Sequence, residues 1–204
     1  MTDHARIAKI RRLLQEKQPL PNIAPQHWKP EKLIRRITNN QKLINWLNLK
    51  TSLTAKLRRE CAELRVEILS ETYEEPMLSE AQALGLSITD KAWVRCVLLK
   101  CQNQNWVYAR TIIPNLQPQN PWHELQTLGT KPLGEILFEM NNIDRSPFGF
   151  GQDLISVWPH LNTQISPAKQ KKMGYARRSL FQRQQHPLLL TEVFLPDFQD
   201  KVLG

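Results

Sequence analysis

The chain has 204 residues, 41% of them hydrophobic, which suits one domain with its own core and a modest extension. Its 28 basic residues outnumber 19 acidic ones, and the formal charge of +9 favours anionic partners. No apolar run approaches the ~20 residues of a membrane-spanning helix, there is no secretory h-region, and no glycine-rich phosphate loop, internal repeat or Cys/His metal spacing occurs. The three cysteines, Cys61, Cys96 and Cys101, form no paired framework, so they read as packing residues of a reducing, cytoplasmic compartment.

Residues 1–30 read as a basic extension. Ile7, Ile10, Leu13 and Leu14 fall at helical spacing among arginines and lysines, and Pro19, Pro21, Pro25 and Pro30 then break any helix. Residues 31–60 are helical by period, interrupted near Thr38-Asn39-Asn40, with Thr51-Ser52-Leu53-Thr54 as a turn and N-cap before a second helix that starts at Ala55-Lys56-Leu57. Residues 63–74 make a first strand, ended by Glu75-Pro76, and residues 77–91 a connector with one helical turn near 79–84. Residues 92–114 form a hairpin of two apolar strands around Gln102-Asn103-Gln104-Asn105, stopped by Pro114. Short helices follow at Pro121 and Pro132, where proline suits a helix start. Residues 143–150 are a strand that Pro147 and Gly149 confine to an edge or bulge. A second hairpin joins 175–183 to 188–195 across Gln184-Gln185-His186-Pro187. Two hairpins without β-α-β alternation predict an α+β fold: a six-stranded antiparallel sheet flanked by helices, in a single domain over residues 31–204.

Three charged residues sit where the pattern demands apolar ones. Side chains alternate along a strand, so Arg95 shares a face with Trp93, Val97 and Leu99, and Arg110 with Trp106, Tyr108 and Ile112. A guanidinium among apolar groups is costly unless an anion meets it. Either the arginines line a pocket for a carboxylate ligand, or they snorkel to water or pair with structural acids. Glu192 likewise shares a face with Leu188, Leu190 and Phe194. A buried acid is either an ion-pair partner or a polar group aimed at a ligand. An apolar pocket with Arg95 at one end and Glu192 at the other would suit a small ring bearing a carboxylate and a hydroxyl.

These residues fall in blocks that resemble the chorismate pyruvate-lyase family over roughly residues 45–196. The blocks are Trp93-Val94-Arg95 with Leu98-Leu99, Arg110-Thr111 with Pro114, and Leu128-Gly129-Thr130-Lys131-Pro132-Leu133-Gly134 with Leu137-Phe138. Arg177-Arg178-Ser179 follows, then Pro187-Leu188-Leu189-Leu190-Thr191-Glu192 with Phe194-Leu195-Pro196. Each block alone is weak; their order and spacing together are specific. The departures are the 1–30 extension, a longer stretch between Phe150 and Gly174, and Ala176 where the family has glycine.

The resemblance implies an antiparallel sheet enclosing a ligand site under helical flaps. It implies a lyase that converts chorismate to 4-hydroxybenzoate and pyruvate, toward the head group of ubiquinone or plastoquinone, without metal or organic cofactor. By residue, it implies Arg95 on the ring carboxylate and Glu192 on the 4-hydroxyl as the catalytic pair, with Arg110 near the enolpyruvyl carboxylate. It further implies contacts from the Pro-Leu-Gly block at Leu133 and Gly134, and from Leu53, where better-known members have methionine. Arg177 and Arg178 match the family without a decided role. The expected partners are chorismate and 4-hydroxybenzoate, with no nucleic acid and no membrane span, and the expected state is a monomer. Two rival readings remain open: a non-catalytic, sensor-like module of the same fold that binds small aromatic acids, and nucleic-acid binding by the basic clusters, which lack a recognised motif.

Overall fold

A computed structural model describes residues 28–140 and 142–203, so the predicted extension over residues 1–30 lies outside the described residues apart from its last three. Eight antiparallel strands form one sheet in the order β1-β6-β7-β8-β4-β3-β2, with β5 added beside β7. The long strands are β2 (Leu64–Glu74), β3 (Ala92–Cys101), β4 (Gln104–Ile113), β6 (Gly149–Leu154), β7 (Met173–Arg183) and β8 (His186–Phe194). These account for the six expected. The count rises to eight because β1 (Lys29–Pro30) and β5 (Asp144–Arg145) are two-residue edge pairs. The strand expected over residues 143–150 is split into β5 and β6. Pro147 lies in the gap, where a proline cannot donate to a ladder.

The β7–β8 turn is tighter than expected. Gln184 and Gln185 both take positive φ, 48° and 64°, and Arg183 pairs with His186. This two-residue turn with both central residues left-handed matches the twist of the flanking strands. It sets the register so that Arg177 stands opposite Glu192. In the first hairpin Cys96 pairs with Arg110 and Arg95 with Thr111. Arg95 and Arg110 therefore project from opposite faces of the sheet.

The helices are α1 (Gln41–Leu47), α2 (Leu53–Glu60), α3 (Leu78–Leu84) and α4 (Leu133–Glu139), with 3-10 turns at Glu31–Arg36 and His123–Thr127. Asn40 caps α1 by accepting the Leu43 N–H at 3.1 Å, and Ser52 caps α2 by accepting the Ala55 N–H at 3.2 Å. One sheet face carries two apolar clusters. At one end Leu99, Val107 and Phe194 meet α1, α2 and Phe198. At the other end Trp93, Ile113, Leu190 and Phe181 meet Trp122, Leu125, Leu133 and Leu137. The reverse face buries Val94, Cys96, Leu98, Tyr108, Ile112, Ala176 and Val193 under Met77, Ile155, Trp158 and Leu161. The stretch between Phe150 and Gly174 thus covers the back of the sheet.

The cysteine expectation is corrected. Cys61 and Cys101 form a disulfide with Cα atoms 6.0 Å apart, and Cys96 is the free, buried thiol. The pairing of Leu64 with Cys101 brings the end of α2 to the end of β3, a proximity invisible to spacing because 40 residues separate the two cysteines. The ground for inferring a reducing compartment is thereby removed. Among the described residues no helix is long and apolar enough to cross a membrane.

Candidate active site

Between the two apolar clusters of the front face lies a small cavity. Its walls are Arg95, Val97 and Leu99 from β3, Ala109 and Thr111 from β4, Leu190 and Glu192 from β8, Thr54 from α2, and Lys131-Pro132-Leu133-Gly134 at the start of α4. It is nearly filled: about 20 Å³ remains open, room for roughly one water. A ring-sized ligand therefore needs the helical wall to move. That wall is α2 against α4, where Arg58 Nε meets Glu135 Oε1 at 2.9 Å.

Arg95 is 2% exposed and faces this cavity from the middle of β3. Its Nη1 donates to Glu71 Oε1 on the neighbouring strand, and its Nη2 donates to the Gly129 carbonyl at 2.6 Å. Burial pulls its pKa below the ordinary guanidinium value. The pair with Glu71 answers part of that desolvation and fixes the plane of the fork. A guanidinium has five N–H donors, so further ones remain for a ligand carboxylate.

Glu192 is 8% exposed and lines the cavity from β8. Its Oε2 accepts from Arg177 Nε at 2.6 Å. Arg177, 1% exposed, also donates from Nη1 to the carbonyls of Leu49 at 2.8 Å and Leu47 at 3.4 Å. One arginine thus orients the carboxylate and ties it to the chain just after α1. The second carboxylate oxygen of Glu192 has no protein hydrogen bond among the described residues.

The structure brings Arg95, Leu133, Gly134 and Glu192 to one cavity. Leu53 does not line it. Leu53 is buried in the apolar cluster at the start of α2, and its neighbour Thr54 reaches the cavity instead. Arg110 is on the wrong face for the role expected of it. It is 1% exposed behind the sheet, where Nε meets Glu80 Oε1 at 3.0 Å and Nη1 meets Glu74 Oε1 at 2.6 Å. Burial opposes its charge, but Glu80 and its other neighbours outweigh that and raise its pKa well above the ordinary value. Burial pushes the Glu80 carboxyl up, against the opposing pull of Arg110.

Oxygen, sulfur and nitrogen atoms of Glu74, Cys96 and His160 lie within 4.8 Å of one another on this back face. Arg110 donates to both Glu74 and Cys96 there, at 2.6 and 3.3 Å, so a fixed positive charge stands where a cation would bind. The residues that sequence reasoning missed are Glu71 and Thr54. The role of Arg177 went undecided, although the two-residue turn, once recognised, dictates that it faces Glu192.

A small cavity lined by a buried arginine and a buried carboxylate, on a helix-flanked antiparallel sheet, has the chemistry to hold a small anion. The family model described as chorismate lyase matches residues 26–203, and the chain belongs to that family of enzymes. The probable chorismate pyruvate-lyase of Hydrogenovibrio crunogenus is 48% identical over 83% of this chain and 90% of its own length. That of Halorhodospira halophila is 33% identical over 87% and 89%. Among solved structures, the C-terminal domain of PhnF superposes with a TM-score of 0.51 at 15% identity, covering 65% of this chain and 82% of that one, and shows the fold alone.

Proposed function

We propose that this chain converts chorismate into 4-hydroxybenzoate and pyruvate, providing the aromatic ring for a quinone head group. The observation that carries the reading is the placement of Arg95 and Glu192 at two ends of one apolar cavity, within a chain of this family. The C3–O ether bond breaks with its electron pair leaving on the enolpyruvate oxygen, while the C4–H bond yields its pair to the ring and its proton to the leaving enolpyruvate. The ring becomes aromatic, and the released enolpyruvate ketonises to pyruvate.

Arg95 holds the ring carboxylate with charge-assisted hydrogen bonds, its plane set by Glu71 and the Gly129 carbonyl. Glu192 orients the substrate by accepting a hydrogen bond from the 4-hydroxyl on the oxygen that Arg177 leaves open. The apolar walls, Val97, Leu99, Ala109 and Leu190, exclude water, which strengthens both contacts. Aromatisation supplies the driving force, so the protein has to orient a dianion, stabilise the leaving enolpyruvate and manage one proton.

The test is incubation of the purified chain with chorismate, followed by chromatography of both products. Equal amounts of 4-hydroxybenzoate and pyruvate, absent with Arg95→Ala, are expected. Tight 4-hydroxybenzoate binding with no turnover of chorismate would instead make the chain a binding module.

A further inference from the structure

Chorismate brings two carboxylates, and Arg95 accounts for one. Arg110 is unavailable for the other, since it faces the back of the sheet between Glu74 and Glu80. The charged side chains that line the cavity are paired, with one exception. Arg95 is matched by Glu71, and Glu192 by Arg177. Lys131 is the other cation among the lining residues, and its ammonium has no ion pair or hydrogen bond among the described residues. We propose, resting on the lyase reading, that Lys131 receives the second carboxylate of chorismate, the one on the enolpyruvyl group.

The backbone carbonyl of Lys131 is 3.5 Å from Arg95 Nη2, and the Gly129 carbonyl accepts from the same nitrogen at 2.6 Å. The loop that carries Lys131 is thereby pinned beside Arg95. In chorismate the ring carboxylate is on C1 and the enolpyruvyl ether on C3, with a single ring carbon between them. A ring whose C1 carboxylate meets Arg95 therefore keeps its second carboxylate within reach of a side chain that springs from beside Arg95. Lysine suits this position, because its charge is compact and rides on a flexible four-carbon stem. The stem can follow the enolpyruvyl group as that group turns about its ether bonds.

Lys131 also stands at the rim of the wall that must move. It precedes Pro132, the residue before α4, and Gly134 in the first turn of α4 is packed close to α2. A methyl group on Gly134 would come within 3.5 Å of Thr54 Oγ1. Lys131 itself is exposed, so its ammonium can take up a carboxylate without first giving up an ion pair. When the C3–O bond breaks, this carboxylate departs with enolpyruvate. Lys131 thus holds the substrate and its leaving group but not 4-hydroxybenzoate, whose one carboxylate belongs to Arg95. The contact favours chorismate over the aromatic product in the same cavity.

The experiment compares two ligands in the same variant, because chorismate carries the second carboxylate and 4-hydroxybenzoate does not. Lys131→Met keeps an unbranched apolar stem and removes the charge. It is expected to lower kcat/KM for chorismate about tenfold or more, the scale of a lost hydrogen bond to a charged group. The Kd for 4-hydroxybenzoate, from calorimetry, is expected to stay within about threefold, since the ring contacts are untouched. Lys131→Arg, which keeps the charge, is expected to hold kcat/KM within about threefold of the unaltered chain. Equal weakening of both ligands by Lys131→Met would mean that the lysine attracts any anion to the cavity, and would overturn the assignment. So would an unchanged kcat/KM in Lys131→Met, or equal losses in the Met and Arg variants, which would report the shape of the loop and not its charge. Absence of chorismate turnover by the unaltered chain would overturn the lyase reading itself, a different failure from loss of the Lys131 effect in an active enzyme.

Discussion

A guanidinium inside a sheet needs carboxylates or carbonyls around it, and Arg95 and Arg110 meet that need differently. Arg95 has one acid, Glu71, which is partly exposed, and keeps donors toward a cavity. Arg110 is enclosed by Glu74 and Glu80, and Glu80 is as buried as the arginine itself. Arg95→Ala should therefore lower kcat/KM about a hundredfold or more with little loss of fold, on the ~2–5 kcal/mol scale of a lost contact to a buried carboxylate. A near-normal kcat/KM would defeat that role. Arg110→Met should do the reverse. It strands Glu80 and should lower unfolding free energy by about 3–5 kcal/mol, while the folded fraction keeps its KM. Urea unfolding and steady-state kinetics separate the two. Glu80 adds a pH signature. Its carboxyl is raised in the folded chain by burial, so above the ordinary carboxylate range the folded chain binds more protons than the unfolded one. Its contribution to stability should then fall as pH rises through that window. The difference in unfolding free energy between the unaltered chain and Glu80→Gln should shrink toward neutral pH, and a rising difference would mean that attraction to Arg110 outweighs burial. Strand parity alone told which neighbours each arginine keeps along its own strand. It could not tell which of the two strand faces meets the cavity, because that depends on pairing Cys96 with Arg110 across the hairpin.

At the scale of elements the sequence was informative wherever composition and turn chemistry agree. All six long strands lie close to where β-branched and aromatic runs predict them, and α1 starts just after the predicted break at Thr38-Asn39-Asn40, while α2 starts at Leu53, two residues before the predicted Ala55. What stayed hidden was register. Reading the second turn as four residues, rather than the pair Gln184-Gln185, leaves the partner of Glu192 undetermined. The same limitation hid the Cys61–Cys101 bond, which depends on how β2 pairs with β3. That bond joins the helical wall to the sheet at the far end of α2 from Thr54. Closing a loop with a sequence separation of 40 should stabilise the chain by about 2–4 kcal/mol through the unfolded state. Burial also raises the pKa of the remaining thiol, Cys96, keeping it protonated and shielded. Iodoacetamide should thus add nothing to the native oxidised chain, one label after unfolding without reductant, and three after unfolding with a dithiol, counted by mass spectrometry against the three cysteines of the sequence. Three labels without reductant would mean that the bond is absent from the purified chain.

For the molecule as a whole, the sheet buries one apolar cluster behind it and two in front, and the small cavity is the seam between the front two. The central strands β3, β4 and β8 are buried on both faces almost throughout, so their amides can exchange only when the whole sheet opens. The wall formed by α2 and α4 is different. Each helix is short, of eight and seven residues, and α4 has no side-chain cap at its start. Helices this short depend on the surface beneath them, and here that surface includes a cavity. Opening of α2 and α4 should be local and should need far less free energy than unfolding of the sheet. This also gives a ligand its way in, since about 20 Å³ of open space cannot admit a ring. Hydrogen exchange should accordingly show slow amides in β3, β4 and β8 that track global stability, and faster ones in α2 and α4. Saturation with 4-hydroxybenzoate at about 100 times its Kd should raise global stability by about 2.7 kcal/mol through mass action. Its effect on exchange should be largest in α2 and α4, because the ligand closes the seam they cover. Equal protection gained across sheet and helices would mean that the wall opens only when the whole molecule unfolds, and substrate would then need another entrance.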